Sequence, residues 1–441
     1  MNRIDVRLRT VFVDQTRRAP WPSWLMLGGA VVIVLAARHT AQDLIAHGAD
    51  LRLDSPPLHA SLDWRPNWRL LLPIGLGVGI VIAGPRLASR MAWSALLVAS
   101  TAVGAAWAVA LALLDGVDGV VGSVTHNTEY FLDVVKVGSA GSFLRGFVAH
   151  ITNYRLHVKG HPPGFLLLLW GLDQLGLGSV GVAAGLEIAG GALAIPAVLL
   201  AVREVAGEQS ARAAAPFVAV APIAIWIATS ADAFYAGVSA WAVALVVLAI
   251  GRAGRRAFAY ALAGGLLFGV TAFLSYGLVL LAIIPFTVAW KRGRFAPLFV
   301  AAAAAAAVFA AFALAGFWWF DGLAATRERY FAGVASRRPY REFLLVNAAC
   351  LVIALGPAIV VALGRLRDRR VWLLVGSALV AIGLAALSGM SKGEVERIWL
   401  PFSIWVLPAA AVLGLGPRRA PWLASQIAFT IFLQTLVRSP W

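Results

Sequence analysis

Residues 113–170 read LLDGVDGVVGSVTHNTEYFLDVVKVGSAGSFLRGFVAHITNYRLHVKGHPPGFLLLLW. An apolar run ends at an acidic turn, an amphipathic polar stretch follows, and the chain enters a second apolar run behind Pro162-Pro163. A helix leaving a bilayer, a loop on the membrane surface and a returning helix read this way, because a bilayer core of about 30 Å needs about 20 apolar residues per crossing. The paired prolines imply a rigid turn that fixes where the returning helix begins. Working outward, apolar runs lie near 24–38, 69–84, 91–114, 164–177, 180–202, 213–229, 234–251, 258–273, 276–290, 296–319, 343–363, 371–388, 398–415 and 420–437. They predict an all-α polytopic membrane protein of about 13–14 transmembrane helices, with interfacial helices in an external 115–163 loop.

The composition supports this. Of 441 residues, 61% are hydrophobic and 13% charged, against about 45–50% and about 25% in soluble domains, which excludes a soluble enzyme. The net charge of +16 does not indicate nucleic acid, because the basic residues punctuate the apolar runs. They stand at Arg3–Arg18, Arg252–Arg256, Lys291–Arg294, Arg365–Arg370 and Arg418–Arg419. Clusters so placed mark cytoplasmic loops, so a plasma-membrane protein with a cytoplasmic N-terminus is expected. The first 20 residues lack a cleavable apolar segment, so the first span is expected to remain as an anchor. The single Cys350 allows no intramolecular disulfide and no cysteine metal site.

One count does not close. Working back from the 252–256 cluster puts Ser230–Tyr235 outside, yet one crossing per run from 163 puts it inside, so a run between 164 and 229 is re-entrant, merged or miscounted. Loop 389–397 falls outside. All seven histidines and eight of the 21 acids fall in the external segments 38–68 and 115–163, which places the chemistry on the outer face. Three parts are expected: 1–90, a basic tail and two helices with loop 38–68; 91–402, a membrane module; and 403–441, the C-terminal helices.

Asp115 and Asp118 stand where a span emerges, within reach of water and lipid, a suitable place for a general base; they are equally explained as solvated boundary acids. Glu129 and Asp133, four apart with Tyr130 between, form either a polar edge over a pocket or the wet side of an interfacial helix. His157 and His161 have the spacing of two helical zinc ligands, but Gly160 and Pro162 disfavour a helix and a third ligand is not evident. In SGMSKGEVERIWLPF (388–402), Lys392, Glu394, Glu396 and Arg397 make an anion site with flanking carboxylates, or a solvated hairpin tip. TRERYFAGVASRRPYREF (326–343) puts Arg337, Arg338 and Tyr340 on the outer side, against the charge rule, to hold a lipid or polyprenyl phosphate or to anchor to bulk anionic lipid. Asp232 and Glu187 lie in apolar surroundings, where an ionisable group is a functional candidate by default. FLSYG (273–277) divides two short helices, leaving Ser275 and Tyr276 as lining residues.

These stretches resemble the GT-C class of integral membrane glycosyltransferases, with its protein mannosyltransferase-like and actinobacterial cell-envelope members. HNTEYFLDV (126–134) and HVKGHPPGFLLL (157–168) resemble the first external loop of the class, and ASRRPY (335–340) and SKGEVERIW (391–399) its late loops; the likeness covers roughly 111–402, makes 91–402 a GT-C-like catalytic module and marks the first two helices as extras to it. It implies transfer of mannose or arabinofuranose from a polyprenyl-phosphate donor to a cell-envelope glycan, glycolipid or protein acceptor, with inversion and an external carboxylate as base. Asp115, Asp118 and Glu129 are the catalytic candidates. Where the class commonly carries an Asp-Glu pair this chain has Asn127-Thr128-Glu129, which moves the expected base toward Asp115 or Asp118. Lys392, Arg397, Arg337, Arg338 and Tyr340 are expected to bind the donor phosphate. Tyr130, Asp133, His157, His161, Asp232, Ser275, Tyr276, Glu394 and Glu396 are expected to bind substrate. No cofactor is required by this reading, though a divalent metal is compatible with it. The competing reading is a transporter or flippase of lipid-linked sugars, which places functional charges at mid-membrane; a His-dependent O-acyltransferase is a further one.

Overall fold

The computed structural model describes residues 21–228, 230–414 and 419–439. Arg3–Arg18 and Arg418, on which part of the expected orientation rests, lie outside the described residues. The helices are α1 (Trp21–Ala46), α2 (Leu71–Arg90), α3 (Trp93–Ala112), α4 (Gly164–Gln174), α5 (Val180–Ala206), α6 (Glu208–Ala219), α7 (Ala231–Ile250), α8 (Gly254–Ala272), α9 (Ile283–Arg292), α10 (Ala296–Leu314), α11 (Trp319–Ala332), α12 (Tyr340–Arg365), α13 (Arg369–Leu387) and α14 (Ala420–Leu436). Two-residue strands β1 (Ser61–Leu62) and β2 (Val437–Arg438) pair antiparallel. Among the described residues, eight helices are long and apolar enough to cross a membrane: α1, α2, α3, α5, α7, α10, α12 and α13. The protein is an all-α multi-pass membrane protein. Apolar side chains provide no water substitute for backbone N–H and C=O groups, so the chain must close its hydrogen bonds within helices.

The remaining apolar runs are α8, 19 residues long but opening on Arg255-Arg256, and shorter or broken segments: α6 with the 3₁₀ turn Pro222–Trp226, the 3₁₀ turn Tyr276–Ala282 leading into α9, the stretch Leu400–Leu413, and α14. The run at 164–177 forms only the 11-residue α4, about 17 Å long at 1.5 Å per residue. Its first N–H donates to Phe273 O at the end of α8 (3.0 Å), and α5 starts again at that same end of the bundle. At that length the run is too short to cross a bilayer core of about 30 Å, one of the alternatives that the count between 164 and 229 leaves open.

Both ends of the bundle are tied by charge. At one, Glu204 of α5 holds Arg252 (3.1 Å) and Arg292 (3.0 Å), which gathers the basic clusters after α7 and α9. At the other lie loops 47–67, 113–163 and 388–399. The centre depends on small residues: a Cβ on Gly190 of α5 would stand 2.5 Å from Phe234 Cα, and one on Gly237 of α7 would stand 2.3 Å from Gly190 O. Backbone contact this close is how membrane helices associate without a hydrophobic driving force, and it sets Glu187 and Asp232 on facing helices. Helix α12 breaks at Gly356 (φ 76°) before Pro357. Gln426 of α14 repairs the break, accepting from Ala358 N (2.9 Å) and donating to Leu355 O (2.7 Å).

Gly190→Leu overpacks this contact and is expected to destabilise by about 1–3 kcal/mol or more. Gly185→Leu, one turn away with open space around it, is expected to leave thermal unfolding in detergent unchanged.

Candidate functional site

Four charged or polar side chains meet below the surface at the loop-bearing end. Arg397 Nη1 donates to Asp232 Oδ2 at 2.8 Å, and Arg397 Nη2 donates to His157 Nε2 at 3.3 Å. His157 Nδ1 lies 2.7 Å from Glu129 Oε1. All four are nearly inaccessible, none exceeding 4% exposure. Because a guanidinium only donates, Nε2 of His157 accepts, which leaves Nδ1 as the ring nitrogen beside Glu129. The chain Asp232–Arg397–His157–Glu129 thus has a fixed polarity, and it joins α7, the loop after α13 and two parts of the 113–163 loop.

Local structure explains the placement. Asp232 is in the first turn of α7, where the helix dipole favours a carboxylate. His157 sits in the single turn Leu156–Gly160, and its N–H donates to Thr128 O (3.0 Å), next to Glu129. Arg397 follows Glu394, a non-glycine residue at φ 61°, whose carboxylate stands 3.8 Å from Arg397 and 3.7 Å from Arg338. Burial works to raise Glu129, but His157 beside it, with Arg397 beyond, outweighs that and holds its carboxyl below the usual range. Arg397 is raised: burial works against its charge, and Asp232, Glu129 and Glu394 overcome it.

Tyr130, Tyr235, His161 and Phe165 form the wall beside this chain, with ring centroids 5.1–5.9 Å apart. His161 Nδ1 bonds His157 O at 2.9 Å, and burial lowers His161 to about 4. Glu187 is buried close by, and its Oε2 has no hydrogen-bond partner among the described residues.

Other sequence candidates go elsewhere. Asp133 turns away from Glu129 to Lys136 (2.7 Å) and the backbone N–H of Arg155 (2.6 Å), where it ties the loop. Asp115 pairs with Arg65 and, with Asp118, lines a separate pocket beside Gln434 and Arg438. Arg337 pairs with Asp50 at 3.0 Å. Arg338 is buried and donates to Leu51 O (3.0 Å) and to Lys392 O. The Tyr340 hydroxyl donates to Leu387 O at 2.9 Å. Lys392 Nζ donates to the carbonyls of Ala335 (3.0 Å) and Arg338 (2.9 Å), partners that leave its charge unneutralised. Glu396 is buried and accepts from His59 N at 3.2 Å; burial raises it to about 7. Ser275 precedes the 3₁₀ turn, and Tyr276 packs on Trp319 (centroids 5.2 Å) beside Thr326.

Tyr235 escaped the sequence reading, although Asp232 and Tyr235 share a helix face at i, i+3. Glu187 was legible only as an acid in an apolar run. The described residues bring together no group of three or more His, Cys, Asp or Glu side chains able to hold a metal, and Glu129 and Asp232 are engaged by His157 and Arg397.

No protein-family model and no curated protein matches the chain. Among solved structures it is similar to the Archaeoglobus fulgidus oligosaccharyltransferase in complex with Zn and sulfate, at 15% identity over 78% of this chain and 53% of that one, with a TM-score of 0.43. It is similar to the archaeal oligosaccharyltransferase AglB from Archaeoglobus fulgidus, in complex with an inhibitory peptide and a dolichol-phosphate, at 13% identity over 76% and 56%, TM-score 0.37. The third is ArnT from Cupriavidus metallidurans in the apo state, at 16% identity over 69% and 76%, TM-score 0.30. The chain spans about half the length of the two oligosaccharyltransferase structures.

Removing Arg397 alone strands the buried Asp232 carboxylate. Arg397→Met is expected to cost about 3–5 kcal/mol, and Asp232→Asn in the same chain to recover a large part of it, read as non-additive shifts in thermal unfolding. His161 supplies a pH test. Folded it protonates near 4 and unfolded near 6.5, so between these values the unfolded chain binds more protons and stability falls as pH falls. His161→Asn, which keeps a donor for His157 O, is expected to flatten stability between pH 6.5 and 4.

Proposed function

We propose that the chain is an inverting membrane glycosyltransferase that moves a sugar from a polyprenyl-phosphate donor to an acceptor hydroxyl. The observation that carries this reading is the buried chain Asp232–Arg397–His157–Glu129, which joins the first long loop to a late loop. Both loops carry the likeness to GT-C enzymes. The positive-charge rule puts the Glu204–Arg252–Arg292 end in the cytoplasm and the site on the extracytoplasmic face of the plasma membrane. The module 91–402 contains all four residues of the chain.

In this reading Glu129 is the general base. It is kept as a carboxylate and oriented by His157, much as a base is oriented by a third group in other sites. It takes the proton of an acceptor hydroxyl as that oxygen attacks the anomeric carbon; the bond from this carbon to the lipid phosphate breaks, and the phosphate leaves with the electron pair. Lys392, whose charge is held by carbonyls rather than by a carboxylate, and Arg397 stabilise that charge. Tyr130, Tyr235, His161 and Glu187 would face the sugar. A single displacement inverts the anomeric centre. Mannose or arabinofuranose as the sugar, and a cell-envelope glycolipid, glycan or protein as the acceptor, remain the substrates expected from the resemblance. Asp115, already paired with Arg65, is less suited to be the base.

The test is transfer of radiolabelled sugar from polyprenyl-phosphate mannose and arabinofuranose to envelope acceptors by the purified protein. Glu129→Gln is expected to lower transfer by about 10²–10⁴-fold with the fold intact, and Asp115→Asn by far less. Movement of a lipid-linked sugar across vesicles without any transfer would favour a flippase instead.

A further inference from the structure

Helices α2 and α14 enclose an apolar groove of about 520 Å³, lined by Ile74, Val78 and Val81 on one side and Ile427, Ile431 and Phe432 on the other. The two helices meet where Ile427 packs over Gly77, which leaves the groove concave. Trp64, 58% exposed, stands at its mouth against Phe432 (ring centroids 6.1 Å), the position of an interfacial aromatic. The end of α14 and the segment after it also wall a second pocket, of about 320 Å³. This one is polar, and Asp115, Asp118, Ser123, Gln434 and Arg438 line it.

Three features of the polar pocket specify a ligand. Gln434 is 8% exposed, and its Oε1, an acceptor, has no hydrogen-bond partner among the described residues. An acceptor left so carries its full desolvation penalty. Asp118 and Arg438 are exposed in the same pocket, and no ion pair engages either among the described residues, whereas Asp115 is already matched by Arg65. Among the described residues the pocket therefore offers one unmatched anion, one unmatched cation and one buried acceptor, with an apolar groove alongside.

We infer that this groove and pocket form a binding site for a phospholipid with a primary-amine headgroup, distinct from the transfer site. The ammonium donates to Gln434 Oε1 and Asp118, the phosphate meets Arg438, and an acyl chain runs along the groove between α2 and α14. A quaternary ammonium has no N–H and leaves Gln434 unsatisfied; an anionic headgroup without an amine, even where its hydroxyls donate to Gln434, leaves the Asp118 charge unmatched. The inference does not depend on the transfer chemistry.

The experiment is native mass spectrometry of the full chain released from nanodiscs of equal parts phosphatidylethanolamine, phosphatidylcholine and phosphatidylglycerol with matched acyl chains. The wild type is expected to retain one phosphatidylethanolamine in preference to the other two. Gln434→Leu is expected to weaken that preference about tenfold, about 1.4 kcal/mol, because it removes a hydrogen bond to a charged group. Val78→Trp, at an exposed position in the groove, is expected to displace the lipid while leaving the folded core alone, so the test survives if the Gln434 variant folds poorly. Equal retention of the ethanolamine and choline lipids, preference for phosphatidylglycerol, or full retention in Val78→Trp would overturn the inference.

Discussion

Arg397 is the one fixed charge around which the loop-bearing end of this protein is organised. A guanidinium at 3% exposure is tolerable only with its donors satisfied and its charge matched. Asp232 supplies the counter-charge from α7, and His157 supplies an acceptor from the long loop. Their positions in turn depend on the approach of α5 to α7 through Gly190 and Gly237, because a bulkier residue at either point would push Asp232 out of reach. Glu129 is held at the far end of the same chain. Packing in the membrane and polarity in the site are in this way one construction.

The loop before α2 is part of that construction. Leu51 and Arg52 carbonyls cap Arg338, and the His59 N–H reaches Glu396, the residue before Arg397. The Cys350 thiol donates to Pro57 O at 3.1 Å. The segment 47–62 therefore braces the loop that carries Arg397.

How much of this was legible from sequence follows from the range of the interactions. The membrane class, the apolar runs and the chemical richness of 113–163 and 388–402 are local properties, visible as hydropathy and charge. Asp232 and Glu187 could be singled out because a charge in an apolar run is costly wherever it lies. What could not be read is partnership: Arg397 lies 165 residues from Asp232 and 240 from His157. Asp133 and Glu129 look like a pair at four-residue spacing, yet a 3₁₀ turn sends them to different partners. Length alone could have resolved α4, whose 11 residues cannot span a bilayer. The arginines at 337 and 338 looked like free anion ligands because the residues that bind them, Asp50 and Leu51, are some 290 positions away.

The central claim is that the carboxylate held by His157 drives a single displacement of a lipid phosphate. The most direct measurement is the anomeric configuration of the product, read by NMR after the purified protein acts on a polyprenyl-phosphate sugar of known configuration. The account predicts an inverted centre in a new glycosidic bond. A retained configuration, or a donor recovered intact under conditions that bind it, would contradict it.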